Sequence, residues 1–489
     1  MAGRLAFVVA EDSVTSSEGT MRVEFRVSRV GLCALALALS ACAGPNLQPS
    51  AESTQDGEVT EAEAAVVTTS LSVGRKLMII GNIDGELVGS NSRDAIFTDR
   101  LIADVGGASR LHVLVVPAAS ASPAWLGGYL RSVLAVRGVS ATQVEVAHIA
   151  NEDDDTTPNV DESTWANGAY SAAEVAKVAR ANVVWLAGGD QNRLTSLLLT
   201  NRGKDTPFLD ALRGKLKAND LILAGYSAGA AVFSDPMISN GTSFGALSLA
   251  PSTDPDCSED DPICVSPGLG FVPSSNDVVV DQHFEQRGRF GRLVRALALT
   301  NKRTGWGVSM NGAFYVDLLK RTAEVVGNPG DASVTIVGRE SAAQNHELAG
   351  PPFTGDNYTV SVLGTGDVYA LPDSKHPHGV ASHVVTSEVY APFSSYFDEP
   401  PVLTDAFGDE VVAEKVTEYF ADGSPQASGA RVDAIAFNAD EQGNASGFRL
   451  RFSADANSTV AWNEDAGYSI FDSRLKISTL TAKFIGLGP

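Results

Sequence analysis

Short, continuous apolar runs alternate with longer mixed segments through the middle of the chain. The apolar runs are KLMIIG at 76–81, LHVLVVP at 111–117, VEVAHI at 144–149, NVVWLAGG at 182–189 and LILAG at 221–225. Segments between them, such as SAAEVAKVARA, are compatible with helices. Continuous apolar strands that alternate with helices imply a parallel sheet covered on both faces. The pattern therefore predicts an α/β domain with three layers, a mostly parallel sheet flanked by helices.

The C-terminal part of the chain has a different pattern. From about residue 392, the segments FRLRFSA, STVAWNE and SRLKISTLTAKFIG alternate apolar with polar positions, and clusters of Asn, Asp and Gly separate them. Alternation with a period of two is typical of strands with one buried face. We therefore expect a small antiparallel, β-rich module over 392–489, and the sequence suggests no role for it.

The N-terminal part predicts export. From Met21, three arginines precede an apolar run of about ten residues, which is too short to span a bilayer as a stable anchor. The following Leu-Ser-Ala-Cys resembles a bacterial lipobox, in which the cysteine, here Cys42, is lipidated. An ordinary cleaved signal is the alternative. We expect an N-terminal extension and lipoprotein signal over 1–42 and a flexible linker over 43–74. The protein would then be an exported bacterial lipoprotein, anchored to a membrane in the periplasm or at the cell surface.

Composition and cysteine placement narrow the function classes. Among 489 residues, 44% are hydrophobic and 19% are charged, as in an ordinary globular protein of two or three units. A net charge of -23 argues against nucleic acid as a partner. Cys257 and Cys264 lie in a loop rich in Pro and Asp, which favours a disulfide over two buried thiols. The chain has no CxxC pair, HExxH or GxGxxG motif, so no metal or cofactor is predicted.

One serine stands at the end of the fifth apolar run, in the sequence LILAGYSAGAA. Ligand sites of open α/β sheets form at the carboxyl ends of strands. Small residues at Gly225 and Gly229 would let the chain turn sharply and present the Ser227 Oγ, as in a nucleophile elbow. The N–H of Ala228 would then face developing oxyanion charge. A turn that only packs a helix on a strand is the alternative.

A serine hydroxyl needs a base, and one of the seven histidines stands out. His283 follows an apolar strand at 278–280, in VVVDQHFEQRGRFGRLVRAL. A histidine satisfied at a strand end is the alternative to a catalytic base. Arginines follow it, and they either bind carboxylates through paired hydrogen bonds or form a solvated basic helix face: Arg287, Arg289, Arg292 and Arg295.

These residues carry a resemblance to a known family. The blocks WLAGGDQNRL, GYSAGAAVFSDPMI and SPGLGFVPSSNDVVVDQHFEQRGRFGRL resemble the cyanophycinase-like serine peptidases, relatives of aspartyl dipeptidase in the class I glutamine-amidotransferase-like superfamily. The match covers about residues 75–371, and it implies a peptidase domain with that fold over 75–391.

The resemblance also implies roles for individual residues. It makes Ser227 the nucleophile and His283 the general base, with oxyanion N–H groups at Gly189 and Ala228. It places in the substrate pocket Gln191, Gln282, Arg287, Arg289 and Arg292. Asp190 and Gln191 bind substrate or, equally well, begin a helix as its N-cap.

Substrate and partners follow from the same resemblance. Family members cleave cyanophycin, an aspartate backbone that bears arginine on its side-chain carboxyls, and release β-Asp-Arg dipeptides without a metal or cofactor. The implied substrate is therefore cyanophycin or a related β-linked peptide. Family members are often dimers, which leaves a homodimer open.

The chain departs from the family pattern in two places, of which the first is Gly81-Asn82 where a Gly-Gly pair usually follows the first strand. The second concerns the orientation of the histidine. After the histidine, family members usually carry a strand of the type GIGxDExTA, whose glutamate orients the base, whereas this chain has Ser309-Met310 at the Asp-Glu pair. A thioether cannot hold the imidazole tautomer. Either Asn311 or Glu285 replaces the glutamate, or the protein is an impaired relative that binds peptides containing Asp or Arg. An α/β-hydrolase esterase is disfavoured, because its histidine would follow the serine at a greater distance.

Overall fold

The structure is a computed structural model of the chain. It describes residues 6–10, 72–83, 95–252, 254, 257, 262–273, 276–341, 350–383, 387–390, 393–394, 402–403, 405–408, 411–421, 424–425, 430–439, 444–463 and 467–485. Cys42, the export signal and most of the predicted linker lie outside the described residues. In the described part, no helix reaches the length and hydropathy needed to cross a membrane.

Strands occur in both the N-terminal and the C-terminal parts of the described chain. In chain order they are β1 (Ala6–Ala10), β2 (Gly74–Ile80), β3 (Val113–Val116), β4 (Val144–Val146), β5 (Val183–Leu186), β6 (Asp220–Tyr226), β7 (Met237–Asn240), β8 (Cys264–Ser266), β9 (Val278–Asp281), β10 (Thr304–Val308), β11 (Gly312–Asp317), β12 (Thr322–Gly327), β13 (Ser333–Arg339), β14 (Gly355–Gly364), β15 (Val368–Ala370), β16 (Val380–Ser382), β17 (Glu388–Tyr390), β18 (Phe393–Ser394), β19 (Val402–Leu403), β20 (Ser424–Pro425), β21 (Arg431–Ala439), β22 (Asn444–Ser453), β23 (Thr459–Asn463) and β24 (Gly467–Ile485).

Helices fall mostly between the early strands, as the alternating pattern predicts. They are α1 (Ala95–Asp104), α2 (Pro123–Val136), α3 (Ala172–Arg180), α4 (Gln191–Leu198), α5 (Pro207–Lys217), α6 (Ala228–Ala231), α7 (Ser243–Ser248), α8 (Phe290–Thr300) and α9 (Thr417–Ala421). A π-helical turn, Val411–Val416, precedes α9 directly.

The first sheet has the strand order β16-β15-β12-β11-β2-β6-β5-β3-β4. Its half from β2 to β4 is parallel, and its other half is antiparallel. Leu77 and Ile79 of β2 enter one hydrophobic core, whereas Met78 and Ile80 enter another. Because side chains alternate across a strand, these two cores lie on opposite faces of the sheet. The predicted α/β layering with a parallel sheet is confirmed.

The second sheet joins the two predicted domains. Its strand order is β19-β21-β22-β24-β14-β13-β10-β9, and β1 and β23 also pair with β24. The C-terminal segment is β-rich, as predicted, but its strand β24 pairs along β14 of the predicted peptidase domain. Its side chains share one core with the residues that follow β9. The domain boundary near residue 391 stays a prediction.

Candidate active site

Ser227 occupies the sharp turn between β6 and α6. Its φ of 52° is left-handed, a conformation that is uncommon for a residue with a side chain. A Cβ on Gly225 would lie 2.4 Å from the Gly229 carbonyl oxygen, and a Cβ on Gly229 would lie 2.3 Å from that of Leu186. Only glycine fits at both positions, so the helix can approach the strands closely and the predicted elbow geometry is present.

His283 reaches the serine from the other sheet. It follows β9, and its backbone N–H donates to the carbonyl of Gly81, just beyond β2, at 3.2 Å. Its φ of 47° is also left-handed. The Ser227 Oγ and the His283 Nε2 lie 2.8 Å apart. This is the distance expected between a nucleophile and its base.

The surroundings of His283 keep its imidazole neutral. Burial, followed by the charges of Arg289, Arg287 and Arg292, lowers the pKa of His283 to about 3. A neutral imidazole that carries its proton on Nδ1 can accept the serine proton at Nε2. The same charges would oppose an imidazolium, so the imidazole is neutral at neutral pH and is a weak proton acceptor.

A cavity of about 430 Å³ opens beside this pair. The predicted substrate residues that line it are Asp190, Gln191, Gln282, Arg287, Arg289 and Arg292, together with Gly189 and Ser227. Four further residues line the cavity without having been predicted from the sequence to do so: Asn192, Ser239, Asn240 and Cys257. The only signal for any of them was the predicted disulfide at Cys257. The lining carries three arginines and one aspartate, and the buried Asp281 behind it offsets part of the charge of Arg292 and Arg289. The positive charge that remains suits carboxylates.

Arg292 lies in the cavity wall and is hydrogen-bonded to groups of the protein. It is 3% exposed, its Nε donates to the Asp281 Oδ2 at 2.8 Å, and its Nη2 donates to the Asp281 Oδ1 at 2.5 Å. Its Nη1 donates to the Gly241 carbonyl at 2.8 Å. Three of the five guanidinium N–H groups therefore have acceptors in the protein. Its predicted contact with substrate stays a prediction.

The double glycine after β5 leads directly into α4. The Asp190 Oδ1 accepts from the Asn192 N–H at 2.8 Å, so Asp190 is the N-cap, one of the two alternatives left open. The Gln191 side-chain amide donates to the Ser239 carbonyl. Gly189 has a φ of 137°, and a Cβ there would lie 1.9 Å from the Ala119 carbonyl oxygen. The predicted oxyanion position is therefore open only to glycine.

The two candidates for the third catalytic residue have different surroundings. The Glu285 carboxylate accepts from the Thr335 hydroxyl and from the Ala413 N–H, each at 3.1 Å. Asn311 is 9% exposed, and its Oδ1 has no hydrogen-bond partner in the described part of the chain. The backbone N–H of Asn311 donates to the carbonyl of Asn82. The preceding residue, Gly81, accepts from the backbone N–H of His283. Asn311 is therefore the candidate with a buried acceptor to offer.

The predicted disulfide lies in the cavity wall. The structure joins Cys257 to Cys264, and the Asn240 side-chain amide donates to the Cys257 carbonyl at 2.6 Å. The three acidic residues between the two cysteines, Glu259, Asp260 and Asp261, lie outside the described residues. Among the described residues of this loop, Cys257 lines the cavity.

A serine and a neutral histidine in contact at the carboxyl end of a parallel strand define a serine-type hydrolase. No family model matches the chain. Sequence comparison finds the cyanophycinases of a Nostoc species, 29% identical over 64% of this chain and 90% of the relative, and of Geminocystis herdmanii, 30% identical over 54% and 84%. The chain belongs to the cyanophycinase family of serine-type peptidases, which confirms the resemblance read from its three sequence blocks.

Comparison with solved structures finds matches of low similarity, including the following two. A peptidase from an acI-B1 actinobacterium has a TM-score of 0.36 and 18% identity, covering 54% of this chain and 90% of its own. A putative peptidase E protein from Listeria monocytogenes has a TM-score of 0.30 and 14% identity, covering 50% and 94%. The fold assignment rests instead on the strand order of the first sheet.

Proposed function

We propose that this chain is an exported serine exopeptidase that hydrolyses aspartyl peptide bonds of cyanophycin or a related β-linked peptide. The products would be dipeptides of the β-Asp-Arg type. The observation that carries the proposal is the contact of Ser227 with His283 in a cavity lined by arginines. Relatives named cyanophycinase support the substrate class.

In the proposed reaction, the Ser227 Oγ attacks the aspartyl carbonyl carbon while its proton passes to the His283 Nε2. The carbonyl oxygen becomes an oxyanion that faces the N–H groups of Ala228 and Gly189. Ala228 is the first residue of α6, so its N–H has no acceptor within the helix. The C–N bond then breaks as His283 returns the proton to the leaving amine. Water attacks the acyl-enzyme through the same two steps and frees the serine.

The charge of the cavity supports recognition of an aspartate backbone. Arg287 is exposed and Arg289 is buried in the lining, so guanidinium groups stand at two depths beside the serine. Guanidinium binds carboxylate through paired, charge-assisted hydrogen bonds. The buried Gln282 Oε1 has no partner in the described part of the chain, and it would accept from a substrate N–H.

We assign the orientation of the base to Asn311. An amide oxygen can accept from the Nδ1–H of a histidine and hold the tautomer in which Nε2 is the acceptor, as in Cys-His-Asn sites. Two observations support this role: the Asn311 Oδ1 is buried without a partner in the described part of the chain, and the backbones of Asn311 and His283 both bind the segment that follows β2. The two side chains are not hydrogen-bonded in this structure, so the role requires the Asn311 amide to move towards the imidazole. An amide carries no charge to stabilise the imidazolium, so we expect a slower enzyme than one with a carboxylate there.

A second candidate is an impaired relative that binds Asp- or Arg-containing peptides without turnover. The presence of Met310 at the expected glutamate and the low pKa of His283 favour it. Both features weaken proton transfer and leave the cavity intact.

Release of β-Asp-Arg from insoluble cyanophycin tests the proposal. The full-length protein is compared with Ser227→Ala and, as a matched control, with Ser132→Ala on the exposed face of α2. Product from the wild type and the control, but not from Ser227→Ala, supports the peptidase. Binding of β-aspartyl dipeptides without turnover would support the impaired binder instead.

The role of Asn311 has its own test. Asn311→Ala should lower kcat by roughly 10²- to 10⁴-fold, the range expected when a catalytic histidine loses its orienting group. Asn311→Asp should retain activity and raise the pKa of His283, because it supplies a carboxylate. Equal rates for wild type and Asn311→Ala would remove Asn311 from the mechanism.

The proposed membrane anchor depends on Cys42. The order of arginines, apolar run and Leu-Ser-Ala-Cys supports lipidation at that cysteine. Expressed in a bacterium, the wild type should incorporate labelled palmitate and sediment with membranes, and Cys42→Ser should do neither. An unlabelled, soluble wild type would indicate an ordinary cleaved signal.

A further inference from the structure

The turn that carries His283 contains two local backbone hydrogen bonds. The Arg287 N–H donates to the His283 carbonyl at 3.1 Å, and the Gly288 N–H donates to the Glu285 carbonyl at 3.0 Å. The left-handed φ of His283 is disfavoured for a residue with a side chain and persists only where the surroundings enforce it. Contacts from outside the turn must therefore contribute to the position of the imidazole.

One such contact is the Glu285 carboxylate. Glu285 lies two residues after His283 and is 4% exposed. Its Oε1 accepts from the Thr335 hydroxyl of β13, and its Oε2 accepts from the Ala413 N–H in the π-helical turn. One side chain thus connects the histidine turn to the second sheet and to the C-terminal segment. These two hydrogen bonds of Glu285 are called the tie below.

The C-terminal segment also packs directly on the same turn. A Cβ on Gly288 would lie 1.8 Å from the Phe407 carbonyl oxygen, so the backbone of the segment approaches the turn as closely as a glycine allows. Phe284, next to the histidine, shares a hydrophobic core with Val411 and Val412 of the π-helical turn. The tie and the packing therefore fix the turn from the same side.

We propose that Glu285 is a positioning residue through which the C-terminal β-rich segment holds His283 against Ser227. The inference rests on the proposed function and gives the C-terminal segment a role in the reaction. Glu285 acts by joining the Thr335 hydroxyl to the Ala413 N–H and does not serve as the third catalytic residue. The segment is a structural part of the peptidase site.

The isosteric glutamine distinguishes these two roles. In Glu285→Gln, the amide oxygen can accept from the Ala413 N–H and the NH₂ group can donate to the Thr335 hydroxyl, which both donates and accepts. The tie survives without its charge. A carboxylate that stabilises an imidazolium needs the charge, so glutamine would fail in that role. Alanine removes the side chain in either case.

The test measures the rate at which a small fluorophosphonate labels Ser227 in the full chain, because this rate reports the base without any substrate contact. Glu285→Ala should label at least about 30-fold more slowly, and Glu285→Gln within about threefold of the wild type. Hydrogen exchange over 405–421 should speed up in the alanine variant alone. Glu324→Ala, which removes a partly exposed carboxylate of β12, is the matched control and should leave both readouts unchanged.

Each outcome decides the proposal. Slow labelling in both Glu285 variants with unchanged exchange would make Glu285 the third catalytic residue and overturn the tie. Wild-type labelling in the alanine variant would also overturn it. If Glu285→Ala does not fold, Thr335→Val removes one end of the tie and should slow labelling about fivefold. A wild type that does not label at Ser227 overturns the proposed function itself, and the exchange measurement then decides the tie alone.

Discussion

Lowering the pH from 7.5 to 5 should leave the reactivity of Ser227 nearly unchanged. The reason is the pKa of His283, which burial and the three neighbouring arginines lower to about 3. At pH 5, about 99% of such an imidazole is neutral, whereas only about 3% of a histidine with the ordinary pKa of about 6.5 would be. The difference between the two cases is about 30-fold in the fraction of active base.

Fluorophosphonate labelling of Ser227 between pH 2.5 and 8, a range that includes the expected midpoint near pH 3, measures this fraction without a titrating substrate. Arg287→Gln supplies a second reading, because it removes one of the charges and should move the acid limb to higher pH. A midpoint near pH 6.5 in the wild type would refute the electrostatic reasoning. A midpoint that Arg287→Gln leaves in place would refute the part assigned to that arginine.

The same shift makes stability depend on pH with a definite sign. The unfolded chain binds a proton at His283 below about pH 6.5, whereas the folded protein binds it only below about pH 3. Stability should therefore fall as the pH drops from about 6.5 to about 3, by up to about 5 kcal/mol from this residue. Urea unfolding of wild type and His283→Gln at pH 7 and pH 4.5 checks it, since the variant lacks this contribution.

Three further predictions concern the scaffold of the site. Asp281→Asn should reduce the free energy of unfolding by about 3–5 kcal/mol, because it leaves Arg292 buried without its carboxylate; Arg292→Met in the same chain should restore much of the loss, as urea unfolding would show. Gly225→Ala should abolish labelling of Ser227, whereas Gly128→Ala, in open space on α2, should be neutral or stabilising by up to about 1 kcal/mol. Cys257→Ser should lower stability by about 2.5 kcal/mol through the lost loop constraint, and reductant should destabilise the wild type equally.

The parallel half of the first sheet could be predicted because four of its strands contain continuous apolar runs with residues buried on both faces. The edge strand β4 has the sequence Val-Glu-Val and is only partly buried. The contact between Ser227 and His283 was less accessible. Its two ends lie on different sheets, and only the resemblance to a family brought them together. The need for glycine in the elbow could be predicted from the sequence. The structure gives the reason, because Gly225 and Gly229 approach carbonyl oxygens too closely for any other residue.

The surroundings of the site could not be read from the sequence. Arginines after His283 suggested carboxylate binding, but no pattern shows that Arg292 is paired with a buried aspartate. Glu285 was a candidate for the catalytic group because it is an acid near the histidine in sequence. Its partners, Thr335 and Ala413, lie 50 and 128 residues away, and such contacts depend on tertiary packing alone.

The hydrogen bond between Ser227 and His283 spans the first and second sheets, and this has a consequence for biosynthesis. The serine is made first, the histidine follows 56 residues later, and the second sheet is complete only when the ribosome has finished β24. A nascent chain that holds the elbow alone therefore has no base at its serine. The contact between Ser227 and His283 can therefore form only after β9 has been made and its end has been placed against the end of β2.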